Sequence, residues 1–556
     1  MTRIAITAFD GMMPRIHPEL LPPTAAQQCA NARIASGALE PWKSPSSVLT
    51  LTSASQVQTI YRYGDTVSNP DTQYWFQFTT DVDVVKGPIN GDTEEKTYWT
   101  DGTYPKKTKA SLAIGAPPYP SSNLKMGIPS PSYVTSPYTS PSGYAPVATV
   151  SGVATDPNST PIDSIYVVTY VSSWGEESSP SLPSNQVTWR VGQTVTVTLP
   201  GVLSGPYDVT NVRIYRSATG NSRTAFQFLT TKTVASATHA DTALNSALGE
   251  VIPSFDWDMP PDDLEGLTSM GNGIMAAFFE STLCFSEPYV PYAWPAKYQL
   301  STDAPIVGLG AFGQSLFVGT TRGIYIVSGV DPAGMTMEKL PLSQTCLSKR
   351  SIVPMLGGVV FASPDGLFLI SPAGSQNLTE SILTREEWQA YEPSTIRAWE
   401  IDGRYYAFYD NGTKAGLIFT FGQQASFVTT THYAYAGYQE KLTDSLYFVQ
   451  AKTGSNNPLV KWNGSSTAMT ASWKSKEYRF PFGVNLGAAR VWSTVYPCTF
   501  KLYGGGVLRH TQTVASSAPF RLPAGTMDTT VSVEVSGTGV VNQVVVATGM
   551  AELGSG

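Results

Sequence analysis

The sequence is short of charged residues and of histidine, and both shortages narrow what the chain can do. Only 14% of its 556 residues are Asp, Glu, Lys or Arg, whereas roughly a quarter is usual in a soluble domain. The four histidines show no HxH or HExxH spacing, so the sequence predicts neither a zinc site nor a catalytic triad. They are His17, His239, His432 and His510. No GxSxG or phosphate-binding GxxxxGK[ST] pattern occurs. We therefore predict a protein that is not an enzyme, with no catalytic residue, no metal and no cofactor.

Cysteines and long apolar runs are also scarce. Cys29, Cys284, Cys346 and Cys498 lie far apart with no CxxC pair. This spacing indicates free thiols in strands or core; a disulfide is compatible with it but not implied. No run of ~18 apolar residues is present, and no basic segment followed by an apolar stretch opens the chain. We expect no membrane span, no signal peptide and synthesis in a reducing cytosol.

The residues that are abundant favour strands and turns. The chain has 28 Tyr, 22 Phe and 12 Trp, which prefer strands, and its 48 Gly and 41 Pro supply turns. Period-two alternation is common and helical periodicity is rare. Because the chain is too long for one hydrophobic core, we predict an all-β protein of several domains.

The net charge is −7, and its sign bears on nucleic acid. Proteins that grip DNA are usually basic, so this balance argues against tight or sequence-specific binding. It is compatible with DNA passage, because a wall that repels phosphate has few attractive contacts for a sliding duplex to break.

A repeat covers residues 256–470. A turn followed by a hairpin recurs at steps of roughly 40–46 residues, the blade period of β-propellers. The recurring strands begin at Ile274, Ser315, Val359, Arg404 and Ser445. Strands within residues 46–110 supply a sixth unit. The sequence therefore predicts a six-bladed-type β-propeller in two parts, 46–110 and 256–470.

The remaining segments differ in composition. Residues 111–150 are predicted to be a linker, because their prolines exclude a regular helix or a central strand. These are Pro117, Pro118, Pro120, Pro129, Pro131, Pro137, Pro141 and Pro146. Short alternating strands in 151–255 predict an inserted β-sandwich that resembles fibronectin type III modules. Residues 1–45 are predicted to be an extended docking segment, and 471–556 a C-terminal β domain.

Four pairs of adjacent acids are candidates for glycan hydrolysis, which needs two carboxyl groups across a sugar. They are Glu94 with Glu95, Glu176 with Glu177, Asp262 with Asp263, and Glu386 with Glu387. Adjacent side chains on a strand point to opposite faces, so no pair is itself a catalytic dyad. We expect all four pairs in solvated loops.

Three further features have both a structural and a functional interpretation. The basic cluster Lys106, Lys107 and Lys109 is predicted to be a solvated turn, with phosphate contact as the alternative. Residues 363–366, Ser-Pro-Asp-Gly, predict a β-hairpin turn and not a sialidase-type aspartate box. The aromatic strand face of Tyr405, Tyr406 and Phe408 is predicted to pack between blades, with sugar binding as the alternative.

Several stretches together resemble virion structural proteins of tailed bacteriophages, most closely the nozzle-type tail tube subunits of short-tailed phages. The likeness spans nearly the full chain, which is shorter than many nozzles, so peripheral domains of larger members are expected to be absent. The stretches are Gly11-Met12-Met13-Pro14-Arg15 with Pro41-Trp42, Val171-Ser172-Ser173-Trp174-Gly175-Glu176-Glu177-Ser178, Val212-Arg213-Ile214-Tyr215-Arg216, Cys284-Phe285-Ser286-Glu287-Pro288 with Ala293-Trp294-Pro295, and Leu347-Ser348-Lys349-Arg350-Ser351-Ile352-Val353.

The resemblance implies a subunit of the virion tail that is assembled in the cytoplasm of the bacterial host. It implies a hexameric ring beneath the portal and adaptor proteins, docking points for tail fibres, and a gate that retains genomic DNA and then passes it during ejection. The family offers no catalytic motif. Two alternatives stay open: a receptor-binding or glycan-processing propeller at the tail tip, and a minor tail or baseplate protein of a long-tailed phage.

Overall fold

The computed structural model describes residues 3–64, 74–131, 144–219, 224–422, 425–525 and 527–553. It is an all-β protein with many small antiparallel sheets, so the predicted fold class is confirmed at that level. The helices in this part of the chain are short: α1 (Ala110–Ala113) and α2 (Arg385–Gln389), with single 3₁₀ turns between strands. No helix in the described ranges is long and apolar enough to cross a membrane.

The first 125 residues contain eleven strands in the described part. They are β1 (Arg3–Ile6), β2 (Ala26–Ala30), β3 (Ala32–Arg33), β4 (Glu40–Pro41), β5 (Ser46–Leu51), β6 (Thr59–Arg62), β7 (Trp75–Phe78), β8 (Asp83–Lys86), β9 (Thr97–Thr100), β10 (Lys106–Thr108) and β11 (Leu124–Lys125). Strands β6 and β7 form one sheet, and β8–β11 form a four-stranded sheet. This second sheet passes the predicted boundary at residue 110, because Leu124 and Lys125 pair with Lys107 and Lys106.

The next unit follows the proline-rich stretch, of which Pro137 and Pro141 lie outside the described residues. Its strands are β12 (Ala148–Ser151), β13 (Ile162–Ser164), β14 (Tyr166–Ser172), β15 (Val187–Trp189), β16 (Thr194–Thr198), β17 (Val209–Thr219), β18 (Thr224–Thr233) and β19 (Thr238–Asp241). Two three-stranded sheets, β12-β16-β19 and β14-β17-β18, and the pair β13-β15 enclose one core around Tyr166, Trp189 and Ile214.

Five further sheets follow in sequence order. Their strands are β20 (Glu265–Ser269), β21 (Met275–Phe279), β22 (Thr282–Phe285), β23 (Leu300–Ser301), β24 (Ile306–Phe312), β25 (Ser315–Thr320), β26 (Ile324–Ser328), β27 (Thr336–Lys339), β28 (Val353–Met355), β29 (Gly358–Ser363), β30 (Gly366–Ser371), β31 (Gly374–Asn377), β32 (Arg397–Ile401), β33 (Arg404–Asp410), β34 (Lys414–Thr420), β35 (Ser426–Thr430), β36 (Ala436–Glu440), β37 (Ser445–Val449) and β38 (Asn457–Lys461). The five predicted repeat strands are β21, β25, β29, β33 and β37, the second strand of each sheet, so the repeat is confirmed.

The last of these five sheets is completed from the far end of the sequence. Strand β5 pairs antiparallel with β38 and becomes the fourth strand after β36 and β37. The first strands then pack in series: β8 against β20, β20 against β24, β24 against β28, β28 against β32, β32 against β36, and β36 against β6. In the described chain, seven sheets therefore follow one another, where the sequence predicted six units.

The second and third strands are buried along their length, as in β29 and β33. Each sheet packs between two neighbours, which covers both of its faces and explains continuous apolar runs in place of alternation. Separate cores lie between successive sheets, such as the one around Tyr405 and Leu417 and the one around Leu316 and Phe278.

The C-terminal unit is built from both ends of the chain. Its strands are β39 (Ala471–Ser475), β40 (Tyr478–Val484), β41 (Ala488–Ser493), β42 (Cys498–Gly504), β43 (Val507–Val514), β44 (Phe520–Arg521), β45 (Asp528–Gly537) and β46 (Val541–Ala547). Strand β1 pairs with β46, and β2 lies between β39 and β35. The segment predicted to dock onto other subunits is thus held within its own chain, because Ile4 and Ile6 are buried in the C-terminal core.

Candidate functional site: charges where the first strands converge

The first strands of the seven sheets surround an opening of about 340 Å³. Residues from separate sheets line it, among them Thr59, Asp83, Leu267, Arg397 and Gly437. We call the ion pairs and hydrogen bonds that Lys349, Arg350 and Arg397 make around this opening the axial cluster.

One half of the axial cluster joins two basic residues to two acids. Lys349 and Arg350 lie on the 3₁₀ turn before β28. Asp83 is the first residue of β8, and Asp81 lies two residues before it. The Lys349 ammonium is 2.8 Å from the Asp83 carboxylate and 3.3 Å from Asp81. Arg350 pairs with Asp81, donates to the Val82 carbonyl at 2.9 Å and lies 3.2 Å from Asp83.

These contacts span the β20–β23 and β24–β27 sheets, which lie between β8 and β28. Lys349 lies beside Gly308 of β24, where a side chain at position 308 would come within 2.9 Å of the lysine stem. Asp83 also accepts a hydrogen bond from the backbone amide of Gly266 in β20 at 3.0 Å. Because β20 and β24 lie between β8 and β28 in the series, these contacts tie four successive first strands together.

The electrostatics favour the ionised acids. Burial acts to raise the pKa of Asp81, but Arg350 and Lys349 outweigh it and hold that pKa below its ordinary value of 3.8. Charge-assisted hydrogen bonds of this kind are about twice as strong as neutral ones. Asp81 therefore stays ionised at neutral pH and can brace the strands through its bond to Arg350.

The other half of the cluster uses one arginine. Arg397, the first residue of β32, donates to the Gln58 carbonyl at 3.1 Å, to the Gln58 side chain at 2.8 Å and to the Tyr435 carbonyl. Tyr435 precedes β36 and Gln58 precedes β6, so one guanidinium joins three sheets. The first strands are thus braced on both sides of the opening.

This arrangement can hold strands in place, and its acids are committed to that task. Within the described ranges, no group of three or more His, Cys, Asp or Glu side chains is placed to hold a metal ion. The structure does not gather the four predicted acid pairs into one site: Glu94 pairs with Lys109 at 2.9 Å and Asp262 with Lys125 at 2.6 Å. Glu387 caps α2 with Thr384.

The expectation of a solvated loop is wrong for Glu95, Glu176 and Glu177, which are 7%, 4% and 2% exposed. The carboxylates of Glu176 and Glu177 have different partners, Lys107 for Glu176 and Arg213 for Glu177. Glu177 accepts from Thr169, Tyr215 and Arg213 at 2.6–2.7 Å inside its own unit. Both acids are buried because each has a cationic partner that compensates its charge.

The expectation of a solvated turn is also wrong for the lysine cluster. Lys107 lies in β10 with 0% exposure and pairs with Glu176. Lys106 pairs with Asp101. In β10, Lys107 and Thr108 are buried and Lys106 is partly exposed.

Other expectations are confirmed. Ser363 and Gly366 close the β29–β30 hairpin, and Tyr405, Tyr406 and Phe408 are buried in cores between sheets. The four cysteines are free and buried.

The axial cluster was not predicted from the sequence. Asp81, Asp83 and Arg397 were not among the candidate residues, and Lys349 and Arg350 were named only within a stretch that resembles phage tail proteins. The available signal was a Lys-Arg pair in a turn directly before a buried strand, in a chain with few charges.

Comparison with known proteins adds little. No family model matches the chain, and no curated protein matches it. One solved structure, BBS1N in complex with ARL6DN, soaked with mercury, aligns with a TM-score of 0.26 and 10% identity over 49% of this chain and 84% of that one. At that TM-score the likeness carries no argument.

Proposed function

We propose that this chain is a structural subunit of a phage tail nozzle, which forms a ring around a DNA channel. The seven sheets are then the blades of one β-propeller, one more than the sequence predicted, because residues 59–78 and 83–125 form separate sheets. The unit of residues 144–252 is a fibronectin-III-like sandwich inserted between two blades, and β39–β46 with β1 and β2 form a C-terminal β domain.

The observation that carries this proposal is the closed and braced series of sheets. Strand β5 completes the β36–β38 sheet from the opposite end of the sequence. The series closes where Thr59 of β6 donates to the Thr80 carbonyl before β8 at 3.0 Å and the rings of Phe78 and Trp99 lie 5.9 Å apart. The axial cluster joins first strands across the opening. A disc closed in this way resists shear between its sheets, as a wall under the pressure of a packaged genome must.

The size of the opening bears on the DNA path. An opening of about 340 Å³, lined in part by Lys349 and Arg350, is far too small for a duplex. DNA therefore passes between subunits, along the axis of a ring, and not through the centre of one disc. This requires a homo-oligomer, for which the resemblance implies six copies.

The remaining partners follow from the same proposal. The ring sits beneath portal and adaptor proteins in the virion tail, carries tail fibres and passes genomic DNA without sequence-specific contacts. The net charge of −7 supports passage without gripping.

The test is the assembly state of the purified full-length chain. Native mass spectrometry over a range of concentrations should show six copies, and negative-stain images should show six-fold rings. A stable monomer or trimer that binds sugars on a glycan array would favour the receptor-binding alternative, and a monomer that never enters a ring would count against a nozzle.

A further inference from the structure

A buried ion pair joins two units that have separate cores. Lys107 belongs to the β8–β11 sheet, and Glu176 belongs to the loop after β14 in the 144–252 unit. Their side chains are 0% and 5% exposed, and the two charges pair directly. The core around Trp189 and the core around Tyr98 and Trp294 lie on either side of this contact.

Polar and aromatic contacts surround the pair. The Trp174 ring lies 4.8 Å from the Lys107 ammonium and 5.4 Å from that of Lys109. The backbone amide of Lys125 donates to the Pro206 carbonyl at 2.9 Å. Burial, then the nearby Glu176 charge, raises the pKa of Tyr98 well above its ordinary value.

The adjacent acids have separate tasks. Glu177 is satisfied entirely within the 144–252 unit by Thr169, Arg213 and Tyr215, while Glu176 faces outward to Lys107. The unit can therefore keep its own buried acid neutralised whether or not it is docked. Only Glu176 depends on the sheet for its charge partner.

A buried ion pair contributes little net stability, because desolvation offsets most of the attraction. Removing one partner is costly, since it leaves the other charge buried and uncompensated. When the two units separate, both charges regain water. Such a contact therefore favours one docked arrangement and adds little to the stability of the contact between the two units.

We propose that Lys107 and Glu176 form an orientation lock: their pairing fixes the direction in which the 144–252 unit projects from the sheets, and breaking it frees the unit to swing without unfolding. Lys125 ends the sheet before this unit, and Ile252 packs at the end of the unit against Val167 and Tyr215. The proposal does not depend on the nozzle function.

The test measures the distance between the units in the full-length chain. Spin labels are attached at Val153→Cys in the unit and Leu442→Cys in the last sheet, which are 87% and 93% exposed; the native cysteines are buried and stay unlabelled. Pulsed electron resonance then gives the distance distribution for the parent, Glu176→Gln and Lys107→Met. Lys106→Gln is the matched control, because Lys106 pairs within its own sheet.

The parent and Lys106→Gln should give one narrow distribution, and each lock variant one at least twice as wide. Amide exchange of β14 and β9 should stay within about twofold of the parent, because both units remain folded. Unchanged widths in the lock variants would overturn the proposal. Loss of protection in β14 would do so too, since the pair would then be needed for folding and not for orientation.

Discussion

Replacing Arg350 by leucine tests the axial cluster. The substitution removes the guanidinium that bonds Asp81 and the Val82 carbonyl. Hydrogen bonds to charged groups contribute about 1.5–3 kcal/mol each, but Arg350 and Asp81 are 29% and 43% exposed, and solvent screens such pairs. Lys349 also remains 2.8 Å from Asp83. We therefore expect a loss of about 2 kcal/mol, roughly thirtyfold in the local opening equilibrium.

The assay is native-state amide exchange, which reports local opening where a chain of several units does not unfold in one step. Exchange should rise about thirtyfold in β8 and β28, the strands that the cluster joins. The matched control is Arg385→Leu, whose pair with Asp365 is 66% exposed on the arginine side and should change stability by at most about 0.5 kcal/mol. Equal effects of the two substitutions would refute the bracing role.

Acid provides a second readout of the same cluster. Because the pKa of Asp81 is lowered in the folded chain, its contribution is fully present above the unfolded pKa, near 3.8, and is lost as the pH falls through the folded value. The difference in stability between the parent and Arg350→Leu should therefore be constant from about pH 5 to 7, which lies above the ordinary aspartate pKa. It should shrink as the pH falls below about 3.8. A difference that grew in acid would contradict this sign.

Three further outcomes are expected. Gly266→Ala should cost about 2–4 kcal/mol in urea unfolding, because a side chain there would lie 2.2 Å from the Phe278 ring at a φ of +68°. The control Gly313→Ala, with open space around it, should cost only about 1 kcal/mol. Equal costs would exclude crowding as the cause. Leu51→Ala should cost about 2–5 kcal/mol and speed exchange in both β38 and β6, since Leu51 packs between their sheets; an effect confined to β5 would contradict ring closure. Burial raises the pKa of the Cys284 and Cys346 thiols to about 12, so a thiol reagent at neutral pH should label four cysteines per chain only after unfolding, and reaction of the folded chain would show that the cores open.

Local patterns predicted much of the fold. The five strands from Ile274 to Ser445 recur at a fixed period because each sheet repeats the same turn and hairpin, and all five lie where that repeat places them. The closing strand was not predictable in the same way. Strand β5 joins β38 across some four hundred positions, and no local pattern in Ser46–Leu51 states its partner.

The charged residues show the same limit. From the sequence, Lys107 and Glu176 are expected to be exposed to solvent, because both are charged and have polar residues among their neighbours. Their burial depends on each meeting the other across two units. Asp83 and Lys349 are likewise ordinary until the sheets are arranged around one opening. Pairing at long range decides which charges of this chain are structural.

Electron cryomicroscopy of the assembled full-length chain tests the central claim most directly. We predict six copies around a lumen wide enough for a duplex. Each copy should be a closed disc of seven sheets, with the side chains of Lys349 and Arg350 lining its own central opening. A map of isolated copies, or of a ring in which the DNA path runs through the centre of a disc, would contradict it.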